Sequence, residues 1–445
     1  MQRTYALMLI VVFLAVVIGL TTMMLQLGDP IADADLLSLP DQKESLGPAS
    51  TFAPTPVYTR SPELGKLIVE DRELLIPYRD HGNAVWGATG RDRKGRIWFG
   101  VSGAAGNDSR LVRYDPADGS IASAGGVLDA LRKAGLLRDG ERQGKIHSRI
   151  VGAADGNLYF ASMDETGEDA KQGKLPRWGS HLWRIDPSSM DWEHLGTAPE
   201  ALIAVAAGGQ WIYALGYWDH VLYQFDTLTQ KLKSIAIGSA QGHVSRNLVA
   251  NEQGHVFVPR VQEQPPGSGD FVASLVELNP DLLEIQATPL DYYMVAESPG
   301  SSHGIVGVAD QKDGSRIILV NGGALYRIGS SGLLPAEVRL IGRLPESPDS
   351  RGESLFDLDG RDYLAGALRT NKVWKIWVMN WQDGVSRVFP LDWRSELPSK
   401  LLYGSMTRDD QGSLYLGGQV KDGKERLAVA LRVTLLEGLL DTVSR

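Results

Sequence analysis

The chain has no cysteine in its 445 residues, and this absence removes several kinds of chemistry at once. Without a thiol there is no disulfide, no thiolate nucleophile, no cysteine-ligated zinc, no covalently attached c-type haem and no lipidated N-terminal cysteine. A basic excess is also missing, because the formal net charge is −9, so nothing favours a nucleic-acid partner. The sequence contains no GxSxG, HExxH, P-loop, EF-hand or Rossmann motif. Function must therefore be inferred from repeats and from the placement of polar residues.

Glycine, in contrast, is plentiful at 50 residues, and seven of these glycines mark a repeat. Each lies in a turn that is followed at once by a short apolar strand, as in RDRKGRIWFG, and the copies are about 45 to 60 residues apart. Glycine supplies the positive φ that hairpin turns of this kind need. The seven turn glycines are Gly95, Gly156, Gly209, Gly254, Gly314, Gly360 and Gly412.

A second hairpin with alternating apolar and polar residues follows each turn, so every repeat predicts four strands, A to D, with the glycine turn between A and B. Seven such units predict an all-β fold, a seven-bladed β-propeller. Two stacked β-sandwiches are the alternative, which seven copies of one unit disfavour. The last repeat lacks a fourth strand of its own, while residues 70–78 resemble one. We therefore predict that this segment pairs into the last blade and closes the ring.

Residues 5–27 form one apolar run that is long enough to span a bilayer as a helix. Arg3 precedes the run and acidic residues follow it, so the positive-inside rule places the propeller outside the cytoplasm, in the periplasm or the extracellular space. A cleavable signal peptide is the alternative. The predicted organisation is a membrane anchor or signal segment at 1–27, a proline-rich tether at 28–62 and the seven-bladed propeller at 63–445.

Three histidines recur at similar positions of their repeats. His147, His243 and His303 each lie about ten residues before a turn glycine, which is where an A strand begins at the mouth of the central channel. Their offsets share parity, so their side chains are expected to point the same way. Because neutral imidazole is a ligand for Zn, Mn, Fe, Ni and Cu, one hypothesis is a divalent metal held by these three residues.

Other polar residues are predicted at the same mouth. Arginines would bind an anionic group of a ligand, a glutamate and a further histidine would line the site, and His147 or Tyr403 would act as general base. A ligand site without metal, and polar residues that merely bond backbone carbonyls in a wet channel, are the alternatives. Two long B–C loops, at 164–179 and 262–271, are expected to crowd this face. The predicted ligand-binding residues are Arg149, Arg246, Arg351, Glu353 and His81.

The strings GRIWFG, GNLYFAS and SHGIVGV, with LVRYDP and LWRIDP after the first two, resemble the blade consensus of streptogramin-lyase, SMP-30 and NHL-like β-propellers. They also resemble sensor-type regulator propellers. The resemblance covers most of residues 63–433 and implies the fold. In that superfamily the propeller centre often holds a divalent cation, and its members include lyases, lactonases and proteins that only bind. The lyase set of His and Glu pairs and the SMP-30 acid, Asn and Asp set are not matched residue by residue, so no activity follows.

Three functions are compatible with these patterns. The leading hypothesis is a membrane-tethered, extracytoplasmic propeller that binds a polar or anionic small molecule or glycan at the channel mouth, with or without a metal. The second is a metal-assisted lyase or hydrolase on a glycan or lactone-like substrate, in which His243 and His303 hold the cation and His147 or Tyr403 moves the proton. The third is a non-catalytic scaffold subunit that docks a membrane-associated protein.

Overall fold

The computed structural model describes residues 73–75, 82–103, 108–169, 174–240, 243–293, 304–330, 335–345, 350–360, 362–370, 373–391, 399–422 and 424–435. These residues form seven antiparallel sheets of four or five strands, arranged as the blades of a propeller. The predicted all-β, seven-bladed fold is therefore confirmed. Each blade begins with its innermost strand, and its outermost strand is the last in hydrogen-bonding order.

The first three blades follow one another along the chain, and the inner strands of blades 1 and 2 are each split into two short pieces that pair with the same neighbour. Blade 1 contains β2 (Gly82–Ala84), β3 (Thr89–Arg91), β4 (Ile97–Gly103), β5 (Arg110–Tyr114) and β6 (Ile121–Gly126); blade 2 contains β7 (Lys145–Ile146), β8 (Val151–Gly152), β9 (Leu158–Met163), β10 (Ser180–Ile185) and β11 (Trp192–Ala198); blade 3 contains β12 (Leu202–Gly208), β13 (Trp211–Gly216), β14 (Val221–Asp226) and β15 (Lys231–Ala236).

The next three blades repeat this pattern, and blade 6 again has a divided inner strand. Blade 4 contains β16 (Val249–Ala250), β17 (Val256–Glu263), β18 (Phe271–Leu278) and β19 (Glu284–Pro289); blade 5 contains β20 (Ile305–Asp310), β21 (Arg316–Val320), β22 (Ala324–Ile328) and β23 (Val338–Arg343); blade 6 contains β24 (Ser350–Gly352), β25 (Phe356–Asp357), β26 (Tyr363–Thr370), β27 (Val373–Asn380) and β28 (Ser386–Pro390).

Blade 7 joins the two ends of the propeller. Its strands β29 (Ser399–Arg408), β30 (Leu414–Asp422) and β31 (Glu425–Val433) come from the end of the chain, and its outermost strand is β1 (Glu73–Leu75). β1 runs antiparallel to β31, with Leu74 opposite Ala430. The predicted ring closure is therefore confirmed.

All seven predicted turn glycines have positive φ, between 57° and 88°. Each lies between the inner strand of its blade and the next strand, as predicted. These turns define one face of the propeller, which we call the turn face. The inner strands begin at the opposite end, which we call the mouth face. The single helix of the described residues, α1 (Val127–Lys133), lies in the connection between blades 1 and 2.

Every pair of neighbouring blades shares its own apolar core, which accounts for the radial packing. Trp98 and Phe160 belong to the core between blades 1 and 2. Phe99 and Tyr415 belong to the core between blades 7 and 1, with ring centroids 6.3 Å apart. Both cores are fully buried, so the side chains of one strand serve two interfaces on its two faces.

The predicted anchor at 5–27 and tether at 28–62 lie outside the described residues. Within the part of the chain that is described, no helix has the length and apolar character needed to cross a membrane.

Candidate functional site

The channel mouth is identified by contacts between blades that are not neighbours, since such side chains can meet only across the axis. Arg246 precedes the inner strand of blade 4, and Glu353 follows β24 in blade 6. The guanidinium of Arg246 lies 3.3 Å from the Glu353 carboxylate. Both charged groups are near enough to Tyr403 of blade 7 to shift the pKa of its phenol. The structure therefore brings together three of the predicted residues.

Aromatic rings form one side of the mouth. The indole of Trp86, in blade 1, stacks on His147 with centroids 6.0 Å apart. It also contacts the ring of Tyr403 in a tilted arrangement, with centroids 4.3 Å apart. The ammonium of Lys145 lies 4.6 Å from the centroid of the same indole, as in a cation–π contact. Trp86 Nε1 is buried without a hydrogen-bond partner among the described residues. We call this group the mouth cluster: Trp86, Lys145, His147, Arg246, Glu353 and Tyr403.

The B–C loop of blade 2 folds over the mouth cluster in its described part. Glu165 forms an ion pair with Lys145, and Glu168 lies close to Tyr217 and Trp218 of blade 3. Burial raises the pKa of Glu168 to about 8, and the Glu165 charge adds to this while Lys145 opposes it. At neutral pH Glu168 is therefore mostly a protonated acid that can donate a hydrogen bond or a proton.

The surroundings of Tyr403 favour its protonated phenol, which donates a hydrogen bond, over the phenolate that a base would need. Burial raises the pKa of its phenol, Arg246 lowers it and Glu353 raises it. A phenol in this state keeps its proton at neutral pH. Its predicted role as general base is thus disfavoured, while a role in hydrogen bonding to a ligand fits.

Arg149 lies deeper in the channel than the mouth cluster, between β7 and β8 of blade 2. Its electrostatic neighbours are Asp310 and Arg316 of blade 5, on the far side of the ring, so its guanidinium faces the axis. Burial lowers the pKa of Arg149, and Asp310 offsets part of this effect. In the described part of the chain, no carboxylate forms an ion pair with Arg149.

His243 is placed away from the channel, in contrast to the prediction. Its side chain is 0% exposed, its Nδ1 meets Ser239 Oγ at 2.7 Å, and its Nε2 meets the Tyr293 hydroxyl. Burial, and then the neighbouring His220, hold the pKa of His243 well below its usual range. Both ring nitrogens are therefore occupied by protein partners. The prediction for His243 counted residues back from the turn glycine and assumed one continuous strand. It was wrong because β16 spans only two residues, so the side chains before it do not alternate as they would in a strand.

The remaining predicted residues are not tested by these contacts. His81 and His303 lie outside the described residues. β24 includes the backbone of Arg351, whose side chain is not described. No group of three or more His, Asp or Glu side chains is placed to hold a metal ion within the described ranges. A metal bound with the help of His303 stays a prediction.

Two charged residues of the mouth were missed by the sequence reasoning. Lys145 lies two residues before His147 in the predicted A strand, so the alternation of side chains in that prediction already indicated that it faces the channel. Glu168 belongs to a loop that was predicted to crowd this face. No local signal distinguished it from its acidic neighbours, because its burial depends on Tyr217 and Trp218 of the next blade.

Comparison with known proteins gives similarity in fold only. No protein-family model matches the chain, and no curated protein matches it. The β-propeller domain of Cps50 (Swd1) from Myceliophteria thermophila is similar at 11% identity over 78% of this chain and 99% of that one, with a TM-score of 0.48. The β-propeller domain of the Trilobed protease from Pyrococcus furiosus is similar at 11% identity over 79% and 95%, with a TM-score of 0.46.

A third similar structure is the extracellular domain of a protein named as a hybrid two component system from B. thetaiotaomicron, at 15% identity over 84% of this chain and 42% of that one, with a TM-score of 0.46. Similarity at this level carries no argument about function. The resemblance to streptogramin-lyase, SMP-30 and NHL-like propellers therefore stays at the level of the fold.

Proposed function

We propose that the chain is a ligand-binding propeller that holds a small anionic molecule in its central channel, between the mouth cluster and Arg149. The observation that carries this proposal is Arg149, a guanidinium that faces the axis with no ion-pair partner among the described residues. Arg149 is half-buried, and a cation that has lost part of its hydration without gaining a partner is destabilising, which a bound anion would offset.

The mouth cluster supports the same proposal. Lys145 and Arg246 add positive charge from two further blades, while the indole of Trp86 offers an apolar wall and an unpartnered N–H donor. Small-molecule sites combine such an apolar wall with a few convergent polar groups. Since Lys145 and Arg246 are each balanced by a glutamate, Arg149 supplies the charge that selects an anion.

Replacement of the guanidinium tests the proposal. We expect phosphate, citrate or D-glucuronate at millimolar concentration to raise the thermal midpoint of the wild-type protein, and Arg149→Met to weaken the binding by about 10- to 100-fold, as for loss of a charge-assisted hydrogen bond. The variant should remain folded, because no ion pair is lost. Differential scanning fluorimetry and calorimetric titration measure both quantities.

Arg132→Met is the matched control, since Arg132 lies on the exposed face of α1 and, among the described residues, forms its ion pair with Asp129. It makes the same change in net charge far from the channel, so its ligand response should equal that of the wild type. If all three anions leave the wild type unchanged, or if Arg149→Met responds as the wild type does, the channel is not an anion site.

An acid–base enzyme is the second candidate, and Glu168 favours it. In β-elimination on a uronate glycan, a base removes the proton next to the carboxylate and an acid protonates the leaving glycosidic oxygen. Glu168 carries the proton that the second step needs, His147 is the candidate base, and an arginine of the channel would bind the substrate carboxylate. This route needs no metal. No contact of the described residues favours the scaffold hypothesis over either candidate.

We further propose that residues 5–27 anchor the propeller to a membrane and that it faces outside the cytoplasm. The apolar run and its flanking charges support this proposal. The full-length chain should stay with the membrane after alkaline carbonate extraction, and a chain that begins at residue 63 should be released. Release of both chains would contradict the anchor.

A further inference from the structure

A cleft of about 590 Å³ opens on the turn face between blades 5 and 6, at the opposite end of the inner strands from the mouth cluster. It lies where the A–B turns and the C–D turns of the two blades meet. The residues that matter for its chemistry are Gln311, Lys312, Arg327, Arg339, Asp362 and Trp381.

In four of the other six blades, the residue at the position of Gln311 in the repeat forms a hydrogen bond within the turn, whereas blades 2 and 3 have alanine there, Ala153 and Ala206. Three residues before the turn glycine, Asp92, Asn251, Asp357 and Asp409 each accept a hydrogen bond from a backbone N–H of their own A–B turn. The short side chains of Asp and Asn suit this local bond. Glutamine is one methylene longer, so Gln311 departs from the pattern.

Blade 5 satisfies its turn by another residue. Asp313 accepts a hydrogen bond from the Ser315 N–H at 2.9 Å, so the turn does not need the side-chain amide of Gln311. Gln311 is only 7% exposed, and neither its Oε1 nor its Nε2 has a hydrogen-bond partner within the described residues. A buried amide with no partner destabilises the fold, and native proteins rarely retain one.

Positive charge surrounds this amide. Arg327 is paired with Asp313 at 2.6 Å, whereas Lys312 and Arg339 form no ion pair with any described residue. Asp362 is the one further acidic residue among the lining residues that the structure describes. Trp381 adds a largely buried indole. Among the described residues, the cleft thus offers two cations outside any ion pair, an aromatic wall and, just beneath its surface, one amide whose donor and acceptor have no partner.

We propose that this cleft is a second ligand site, for a small organic anion that carries an amide group beside its carboxylates. The Gln311 side chain would pair with the ligand amide through its N–H and its C=O, and Lys312 and Arg339 would bind the carboxylates. The site shares no residue with the channel mouth, so it stands whether or not the mouth binds an anion.

N-acetyl-L-aspartate and succinate form a matched pair of probes, because they carry the same two carboxylates and only the first carries an amide. We expect the wild-type protein to bind N-acetyl-L-aspartate about 10-fold more tightly than succinate, as measured by calorimetric titration. In Gln311→Met, a side chain of similar length without the amide, the two affinities should become equal. Lys312→Ala should weaken both.

The same variant has a stability signature that a structural role would not give. Gln311→Met removes a buried amide that has no partner, so we expect its thermal midpoint to rise by about 2 °C. Gln210→Met is the control, because Gln210 lies at the A–B turn of blade 3 and donates to Asp226 at 3.0 Å. Its midpoint should fall.

Three outcomes overturn the proposal. The first is no binding of N-acetyl-L-aspartate to the wild type. The second is equal affinity of wild type and Gln311→Met for it. The third is a lower thermal midpoint for Gln311→Met, because the amide would then be bonded within the protein.

Discussion

A chain that begins at residue 76 is expected to unfold at a much lower urea concentration than one that begins at residue 63. The shorter chain lacks β1, so β31 loses the partner that closes blade 7. The shorter chain loses about three backbone hydrogen bonds and exposes apolar side chains next to β31 to water. We expect this to lower the free energy of unfolding by about 3–4 kcal/mol. Urea titration followed by tryptophan fluorescence measures the difference.

The chain that begins at residue 63 is the control, because it lacks the predicted anchor and tether but keeps β1. Its midpoint should equal that of the full-length protein in detergent. The shorter chain should also self-associate, since β31 becomes an exposed sheet edge. Equal urea midpoints for the two shortened chains would mean that the contacts between blades 7 and 1, such as Phe99 with Tyr415, hold the ring closed without β1.

Sequence reasoning predicted the fold because the features that decide it are local. A turn glycine needs positive φ whatever surrounds it, and Gly95 and Gly412, at opposite ends of the propeller, both adopt it. The alternation of side chains on a strand is likewise a property of the strand itself. Even β1, far from β31 in sequence, was predictable because the last repeat was one strand short.

The candidate site was predicted only in part, because its members depend on approach between blades. Arg246, Glu353 and Tyr403 meet across the axis as expected. His243 does not, since an irregular segment before β16 turns it toward Ser239 and Tyr293. Gln311 gave a weak signal, a glutamine where four of the other six repeats have Asp or Asn and two have Ala. Its lack of a partner became visible only with blades 5 and 6 in place.

Glu168→Gln is expected to change both catalysis and the dependence of stability on pH. If the mouth performs β-elimination, polygalacturonate will give an unsaturated product that absorbs in the ultraviolet, and the variant will form it about 100- to 10,000-fold more slowly. Wild-type activity should fall as pH rises through about 8, where Glu168 loses its proton. No absorbance change with the wild type removes this candidate and leaves the binding function intact.

The stability measurement tests the state of Glu168 without any substrate. The carboxyl has a pKa of about 8 in the folded protein and an ordinary pKa of 4.5 when exposed, so between these pH values the folded state keeps a proton that the unfolded state has lost. The free energy of unfolding contributed by this group therefore falls as pH rises through that window. Allowing for partial exposure, the loss is on the order of 2 kcal/mol, and Glu168→Gln should abolish it. Glu193→Gln, at an exposed ion pair with Arg184 on the outer strand of blade 2, should keep the wild-type slope. If the free energy of unfolding of Glu168→Gln depends on pH as that of the wild type does, Glu168 is ionised at neutral pH and cannot be the acid.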